Sequence, residues 1–402
     1  MSVFDPISLG GVTLANRIVK SAMVEGRADA EGRATPELVT LYEQWARGGV
    51  GLAITGMAYV LEGWSLTPHE LGMHDDSVIE PFGRVSDAVH RHGGRIFVQL
   101  CHAPPQILRA KAERLGSVAP SPGWSRTNLL YQRAFSEPEI LAITRAFGAA
   151  ARRARDARAD GVEIHAAHGY SISRFLSPLH NRRRDRWGGN TAGRLAFLST
   201  IHREIQAQAG ADFPVIVKLN AHDGVPHGLT VEESVRMAQQ MQAWGIGAVE
   251  VSAGTADVGL GFYPNKGEIP FDLGKAFLGR EFPWLRPVLP LADPVLERLS
   301  RGVALREEGY FGSEARQFAA ALDIPVIQVG GIRSRETAER ILSDSRVALV
   351  SLARPLVRSP RLPNEWRAGQ RREADCTSCN RCFVRLALGA PLGCDRRSAV
   401  VA

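Results

Sequence analysis

Eight short apolar runs, rich in β-branched residues, recur along the chain, and stretches with helix signals separate them. Continuous runs, rather than strict alternation, are typical of strands buried on both faces of a parallel sheet whose crossovers are helices. Ser136 to Glu139 and Thr230 to Glu233 each place an acid three residues after a hydroxyl cap, as helix starts do. The pattern predicts an α/β fold, a (β/α)8 TIM barrel. The predicted strands are Arg17 to Met23, Gly51 to Thr55, Arg95 to Leu100, Gly161 to His165, Pro214 to Asn220, Ala248 to Ser252, Pro325 to Gly330 and Val347 to Leu352.

A doubly wound open sheet is the competing architecture. It is disfavoured because no Gly-x-Gly-x-x-Gly turn follows the first predicted strand. We therefore assign residues 1–365 to a barrel and residues 366–402 to a Cys-rich tail. Two connections are much longer than ordinary βα loops, residues 101–135 after the third strand and residues 255–311 after the sixth. Both are expected to overhang the catalytic face, where barrel loops form active sites.

The second long connection, residues 255–311, has a proline-broken apolar pattern. A loop of this length in a compact domain is usually functional, so one interpretation is a lid or pocket wall for a bulky apolar substrate. Packing against the barrel or a partner subunit is an equal alternative, and a shallow membrane contact is a third. The apolar residues are Phe277, Phe282, Trp284, Leu285, Leu289 and Leu291.

The composition is that of an ordinary soluble globular protein of 402 residues. The net charge of +7 comes from 49 basic and 42 acidic residues that are interspersed, so we expect no nucleic-acid partner. The chain lacks an apolar run of about 18 residues, so no membrane span is expected. The N-terminus has no signal-peptide pattern, and the default expectation is a cytoplasmic location.

Three residues at the end of the fourth predicted strand form the strongest catalytic signal. His165 and His168 are three residues apart, so both imidazoles could face one small pocket and donate hydrogen bonds to one oxygen. Such a pair would polarise a carbonyl or nitro group. Tyr170, two residues later, could supply the proton as a general acid. A purely structural role for the histidines is the alternative.

Residues at four other strand ends predict a flat, phosphorylated cofactor. Gly330 and Gly331 precede a helix, and Arg354 follows the eighth strand, which suits a phosphate site. Gln99 and Lys218 end the third and fifth strands. Glutamine can bond both donor and acceptor edges of a planar heterocycle, and a lysine near a ring nitrogen would stabilise an anionic reduced flavin.

A set of motifs at these strand ends carries a family resemblance. The motifs are Asn16-Arg17-Ile18-Val19 with Ser21-Ala22-Met23, Gln99 to Ala103, His165 to Tyr170 with Phe175 to Pro178, Asn181, Asp185, Trp187-Gly188-Gly189, and Gly330-Gly331. Over residues 1 to 365 they resemble the old yellow enzyme family of NADH:flavin oxidoreductases. The resemblance implies a barrel that binds FMN and uses NAD(P)H to reduce activated alkenes. It implies that the histidine pair binds the activating oxygen and that the tyrosine protonates the substrate.

The resemblance also implies a set of cofactor-binding residues. They are Ser21, Ala22, Met23, Val24, Met57, Gln99, Lys218, Gly330, Gly331, Ala353 and Arg354. This chain departs from the family pattern at three places. Lys218 stands where relatives often have arginine, Val24 where many carry threonine or cysteine, and Pro104-Pro105 where Gly-Arg is usual.

Four of the five cysteines lie in the tail, at Cys376, Cys379, Cys382 and Cys394. Four thiols so close in sequence can close a metal site. The run resembles the 4Fe-4S segment of trimethylamine dehydrogenase and, less closely in spacing, of 2,4-dienoyl-CoA reductase, which are larger members of the same superfamily. A 4Fe-4S cluster, zinc and reduced thiols all remain open.

The sequence therefore leaves three functions open. The first is an NAD(P)H-dependent reductase of a small-molecule alkene, an α,β-unsaturated carbonyl or enoyl thioester that is bulky and apolar. The second is a flavin amine or acyl dehydrogenase that passes electrons through the tail cluster to a partner protein. The third is a metal-dependent barrel hydrolase with the histidines as ligands, which would be colourless. Barrel reductases of the family often pair, so the resemblance is compatible with a homodimer.

Overall fold

A computed structural model describes residues 1–103, 109–125, 128–255, 275, 278–279, 282–292 and 307–395. Within these residues eight parallel strands close into a barrel in chain order, which confirms the predicted TIM barrel. The barrel strands are β1 (Ile18–Lys20), β2 (Leu52–Tyr59), β3 (Arg95–Cys101), β4 (Gly161–Ala166), β5 (Val215–Asn220), β6 (Val249–Ser252), β7 (Val326–Val329) and β8 (Leu349–Leu352).

Helices surround the barrel and connect successive strands. Ser136 and Glu139 form the capping box, and the Thr230 side chain accepts a hydrogen bond from the Glu233 amide, as the sequence predicts. The outer helices are Pro36–Arg47, Ile79–His90, Glu137–Asp156, Thr191–Ala209, Val231–Ala243, Gly312–Ala321, Arg335–Asp344, Arg354–Arg358 and Leu362–Arg367. Further short helices are Arg109–Leu115, Ser171–Leu176 and Arg381–Ala387, with 3-10 turns at Asp76–Val78, Pro283–Leu285 and Leu289–Ala292.

Two strand ends differ from the prediction by three or four residues, and the other ends differ by at most two. β1 stops at Lys20, one residue before the Ser21 amide makes a last hydrogen bond to the Leu352 carbonyl oxygen of β8. β2 runs on to Tyr59, past an irregularity between Ile54 and Met57. A bulge of this kind re-aims the side chains that follow it, and it places Met57 opposite Gln99 of β3.

The N-terminal end of the barrel is closed by a hairpin of Ile7–Leu9 and Val12–Leu14 that the sequence did not predict. Leu9 and Leu14 are fully buried against the inward-facing apolar residues of the strands. Gly10 and Gly11 have positive φ values of 56° and 88°, which the tight turn requires. This plug excludes water from one end of the barrel, so the opposite end is the open one.

Towards the C-terminal strand ends the barrel interior changes from apolar to polar. Five side chains, each at most 4% exposed, form this layer, which we call the polar floor. Glu163 and His165 are two residues apart on β4 and therefore share one face of that strand. The polar floor consists of Ser21, Gln99, Glu163, Lys218 and Glu250.

The described part of the first long connection lies beside the loop after β4. It contains the helix Arg109–Leu115 and a small sheet of Val118–Ala119, Gly123–Trp124 and Tyr131–Ala134. Arg174 links this sheet to the loop after β4, since it donates to Gln132 Oε1 at 3.0 Å and to the Gly169 carbonyl oxygen at 2.9 Å.

Most of the second long connection, including Phe277, lies outside the described residues. In its described part, Trp284 and Leu291 are 68% and 80% exposed. Phe282 and Trp284 form an edge-on aromatic pair with ring centroids 6.2 Å apart. The lid interpretation of residues 255–311 stays a prediction. Among the described residues, no helix is long and apolar enough to cross a membrane.

Candidate active site

The loop after β4 brings the three predicted catalytic side chains together. The ring centroid of His165 lies 5.0 Å from that of His168 and 4.8 Å from that of Tyr170, and both pairs meet edge-on. His168 has a positive φ of 64°. Its backbone amide donates a hydrogen bond to Asn220 Oδ1 at 3.1 Å, which holds this conformation. Tyr170 is the N-cap of Ser171–Leu176, which fixes its direction at the rim.

The two imidazoles are neutral in the folded protein. Burial and then the charges of His168 and Lys218 hold the pKa of His165 well below its ordinary range, and burial lowers the pKa of His168 to about 3. Nδ1 of His165 accepts the Ala167 amide at 3.3 Å, so its single proton lies on Nε2. The Ser252 hydroxyl lies 2.7 Å from Nε2 of His168. If that hydroxyl donates, the proton of His168 is on Nδ1.

The polar floor holds one ion pair and a chain of hydrogen bonds. Nζ of Lys218 lies 2.8 Å from Oε2 of Glu250 and 3.3 Å from the Ser21 hydroxyl, which donates to Oε1 of Glu250 at 3.0 Å. Burial works against the Lys218 charge, but the charge of Glu250 and the contact with it outweigh burial and raise the pKa of Lys218. Gln99 donates to Oε2 of Glu163 at 2.5 Å. Lys218 therefore stays a cation just below the mouth.

An apolar wall lies along the mouth from β2 to the loop after β4. Met57, Cys101, Ala103 and Tyr170 form one buried cluster, against which Val24 packs. Ala22, Met23 and Val24 are partly exposed after β1. Cys101, the cysteine of this chain that is not in the tail, thus lies at the rim of the barrel. A planar ring system could lie against this wall while its polar edge meets the floor.

The loop that carries Ser21 to Val24 is held by a buried polar group behind it. The Glu25 carboxylate accepts the Tyr42 hydroxyl and the Gly56 amide, and Lys20 lies 3.7 Å from it. Nζ of Lys20 also donates to the Ile54 carbonyl oxygen at 3.0 Å. The bulge in β2 and the loop after β1 are therefore fixed by the same carboxylate.

Gly330 and Gly331 form the predicted turn after β7, with φ values of 117° and 70°. A Cβ at either position would lie within 2.9 Å of the Tyr310 ring, so both glycines are needed for packing as well as for backbone conformation. Arg354 begins the helix after Ala353 and donates to Oδ1 of Asn380 at 2.5 Å. The arginine at the predicted phosphate end thus contacts the cysteine tail.

The cysteine tail is attached to the catalytic end of the barrel. The Leu392 amide donates to the Glu25 carbonyl oxygen at 2.8 Å, and the Arg27 side chain donates to the Leu392 carbonyl oxygen at 3.1 Å. At its other end the Ala374 amide donates to the carbonyl oxygen of Arg333. The tail therefore bridges the loop after β1 and the turns after β7 and β8.

The four tail thiols lie close enough to influence one another electrostatically. Burial raises the pKa of Cys382 to about 12, Arg354 opposes this, and the charges of Cys376, Cys379 and Cys394 add to it. Ser378 and Asn380 adopt left-handed φ values of 58° and 54° between the first three cysteines. Within the described part of the chain, no three His, Cys, Asp or Glu side chains are already at metal-binding geometry.

Several residues that complete the site were not predicted. Glu163 and Glu250 lie within buried strands, and an acid inside an apolar run was the available signal. Asn220 and Ser252 orient His168 from β5 and β6, and no local pattern marks them. His102 follows β3, and its Nδ1 lies 3.0 Å from the Ser171 hydroxyl.

The histidine at position 102 gives a pH-dependent test of the local packing. Burial lowers its pKa from 6.5 to about 3, so below pH 6.5 the unfolded chain binds a proton that the folded chain does not. The stability contribution of His102 is thus present above pH 6.5 and is lost as the pH falls towards 3. The free energy of unfolding of the wild type, relative to that of His102→Gln, should fall by about 1.4 kcal/mol for each pH unit below 6.5. Urea unfolding at two pH values measures it, and a pH-independent difference would contradict the neutral, buried ring.

The donor set suits an anionic, planar, phosphorylated cofactor. Lys218, Gln99 and Ser21 supply donors and a positive charge at the mouth, and the wall around Met57 is apolar. At the far side, the Arg354 guanidinium can hold a phosphate, whereas the Ser334 amide and hydroxyl at the start of the helix Arg335–Asp344 donate to the Glu308 carboxylate. These residues fit FMN.

Comparison with known proteins agrees with this geometry. Residues 2–256 match the NADH:flavin oxidoreductase / NADH oxidase family. A 4,4'-dithiodibutanoate disulfide reductase from Rhodococcus erythropolis is 31% identical over 100% of this chain and 96% of the relative.

Two solved structures share the fold. A complex of 2-naphthoyl-CoA reductase with 2-naphthoyl-CoA superposes with a TM-score of 0.82 at 21% identity, over 98% of this chain and 56% of that one. An old yellow enzyme homologue from Zymomonas mobilis superposes with a TM-score of 0.71 at 22% identity, over 94% of this chain and 96% of that one. This chain spans about half of the first structure and nearly all of the second.

Proposed function

Because the chain belongs to the NADH:flavin oxidoreductase / NADH oxidase family, we propose that this FMN-dependent NAD(P)H oxidoreductase of the old yellow enzyme type reduces an activated alkene. The observation that carries the proposal is the group of His165, His168 and Tyr170, with two neutral imidazoles and a phenol at one strand end. When bound, FMN supplies the two-electron chemistry that links NAD(P)H to the substrate. Family membership decides against the metal-dependent hydrolase.

The proposed FMN site spans the barrel mouth from the polar floor to the turns after β7 and β8. Gln99 and Lys218 would face the polar edge of the ring system, and Met57 its apolar side. Arg354 would hold the phosphate with the turn amides. The full set is Ser21, Ala22, Met23, Val24, Met57, Gln99, Lys218, Gly330, Gly331, Ala353 and Arg354.

The proposed substrate is an α,β-unsaturated carbonyl or an enoyl thioester. A neutral imidazole can donate one hydrogen bond, so His165 and His168 together can bind the carbonyl oxygen and stabilise its developing negative charge. Tyr170, in ring contact with His165, holds the proton that the alkene carbon needs. An assay of NADPH with a panel of enones and enoyl thioesters tests this through formation of the saturated product. Oxidation of NADPH without a saturated product from any of them would refute it.

A disulfide is a second candidate substrate class. It is supported by the full-length match to a 4,4'-dithiodibutanoate disulfide reductase. The same assay with a dialkyl disulfide, followed by thiol titration, separates the two. If an amine reduces the bound flavin and NADPH does not, the amine dehydrogenase alternative would be favoured instead.

For the tail we propose a 4Fe-4S cluster held by Cys376, Cys379, Cys382 and Cys394 and reached by an electron-transfer partner. The spacing of the four cysteines in the sequence supports it. A bound cluster supplies one-electron transfer. Cys382→Ser should then lose most of its iron and sulfide, whereas the matched control Cys101→Ser, at the barrel rim, should retain both.

Elemental analysis of anaerobically purified protein measures this prediction. Zinc without iron in the wild type would contradict the cluster, as would equal iron content in Cys382→Ser and wild type. Loss of metal from both variants would show that unfolding, rather than ligand removal, is responsible.

A further inference from the structure

Two fully buried carboxyl groups meet inside the barrel, in the polar floor. Glu163 of β4 and Glu250 of β6 are both 0% exposed, and their side chains lie within hydrogen-bonding reach of each other. Two ionised carboxylates at this range repel strongly, and a hydrogen bond between them requires that one carries a proton. Neither carboxyl belongs to the proposed catalytic group.

The contacts of the carboxyl oxygens indicate which group carries the proton. Oε1 of Glu250 accepts the Ser21 hydroxyl at 3.0 Å. Oε2 of Glu250 accepts no hydrogen bond of regular geometry from a described donor, but it lies 2.8 Å from the Lys218 cation, its ion-pair partner. Glu163 accepts from Gln99 at Oε2, but its Oε1 receives no hydrogen bond from any described donor. A buried oxygen without a hydrogen-bond partner lowers the stability of the folded protein. A proton on Oε1 of Glu163, donated to the Glu250 carboxylate, gives this oxygen a partner.

We propose that Glu163 and Glu250 share one proton, carried on Oε1 of Glu163, and that Glu163 is a positioning residue that fixes Gln99 and keeps the polar floor electrically neutral. The charge is then +1 on Lys218, −1 on Glu250 and zero on Glu163. Burial and the Glu250 charge both raise the pKa of Glu163, in agreement with the hydrogen bonds.

The groups around Glu163 support a single proton. The charged or titratable neighbours are Lys218 of β5, Glu250 of β6 and His165 on the same face of β4. His165 is neutral, so Lys218 is the one positive charge among them. One cation balances one carboxylate, and a second ionised carboxylate would be uncompensated. Among the uncharged groups, Gln99 of β3 donates to Glu163, whereas Ser21 after β1 and Ser351 of β8 lie beside Glu250.

The shared proton has two consequences at the mouth. With Oε1 protonated, Oε2 of Glu163 is the carbonyl oxygen that accepts the Gln99 amide, so the carboxamide is held in one orientation. The second consequence rests on the proposed flavin site above this floor. Reduction of a flavin bound there would add negative charge next to the polar floor. A neutral floor would repel this charge less than a floor of charge −1.

Infrared spectroscopy of the flavin-free protein tests the proton directly. The wild type should show the C=O band of a protonated carboxylic acid that shifts in deuterium oxide. The spectrum is taken well above pH 7, because burial raises the pKa of Glu70 to about 7. The band should vanish in Glu163→Gln and also in Glu250→Gln, where Glu163 ionises as the new partner of Lys218. Its absence from the wild type, or its survival in Glu163→Gln, would overturn the proposal.

The midpoint potential of bound FMN tests the charge balance. Each single variant retains one carboxylate beside Lys218, so its potential should stay close to that of the wild type. The double variant Glu163→Gln/Glu250→Gln leaves Lys218 uncompensated and should have a clearly higher potential. If both carboxyls were ionised in the wild type, each single variant would already raise the potential, and the proposal would be wrong. The infrared result needs no flavin or substrate, so it stands apart from failure of alkene reduction.

Discussion

His165→Ala is expected to slow alkene reduction by about 10²–10³-fold and to weaken binding of phenolic ligands, while FMN stays bound. The ring donates from Nε2, because Nδ1 accepts the Ala167 amide, and it contacts both His168 and Tyr170. Its removal takes away one of two donors to the substrate oxygen. The polar floor that faces the cofactor is unchanged, so the flavin should remain bound.

Rapid mixing of NADPH-reduced enzyme with an enone measures the first effect, and optical titration with a phenol measures the second. His92→Ala is the matched control, because this exposed ring pairs with Glu43 near the N-terminal end of β3. The control should behave as the wild type in both experiments. Unchanged phenol binding in His165→Ala would remove this residue from the oxygen site.

Tyr170→Phe is expected to leave reduction by NADPH intact and to slow the reaction with the enone by about 10²–10⁴-fold. The phenol ring is 4% exposed and packs with Met57, Cys101 and Ala103, so phenylalanine preserves the packing and removes only the hydroxyl. The two half-reactions should therefore separate. A loss confined to the second identifies Tyr170 as the proton donor.

The control for this variant is Tyr131→Phe, on the small sheet beside the catalytic loop, where the ring is 57% exposed. It should match the wild type in both half-reactions. Equal slowing of both half-reactions in Tyr170→Phe would indicate disturbed flavin binding, and an unchanged enone reaction would assign the proton to another group.

The barrel and the proximity of three polar side chains could be predicted because their signals are local. Each strand lies in a short, mainly apolar run, and His165, His168 and Tyr170 lie within six residues at the end of β4 and on the loop after it. Long-range contacts were not predictable in the same way. The approach of Glu250 to Glu163 depends on strand curvature around the barrel, and spacing in sequence does not encode it.

The tail and the bulge in β2 show the same limit. Four cysteine positions predicted a metal site, but contacts from Leu392 to Glu25 and from Arg354 to Asn380 join segments far apart in the chain. The early end of β1 and the extension of β2 reflect side-chain bonds of Glu25 to the Gly56 amide, which local propensity does not describe. Tertiary contacts therefore decide where the polar groups of the mouth lie.

Anaerobic titration of the purified yellow protein tests the central claim most directly. NADPH should bleach the flavin absorbance, and one equivalent of a reducible enone should then restore it and yield the saturated carbonyl compound. Flavin that NADPH leaves oxidised, or reduced flavin that enones and enoyl thioesters fail to reoxidise, would contradict an NAD(P)H-dependent alkene reductase.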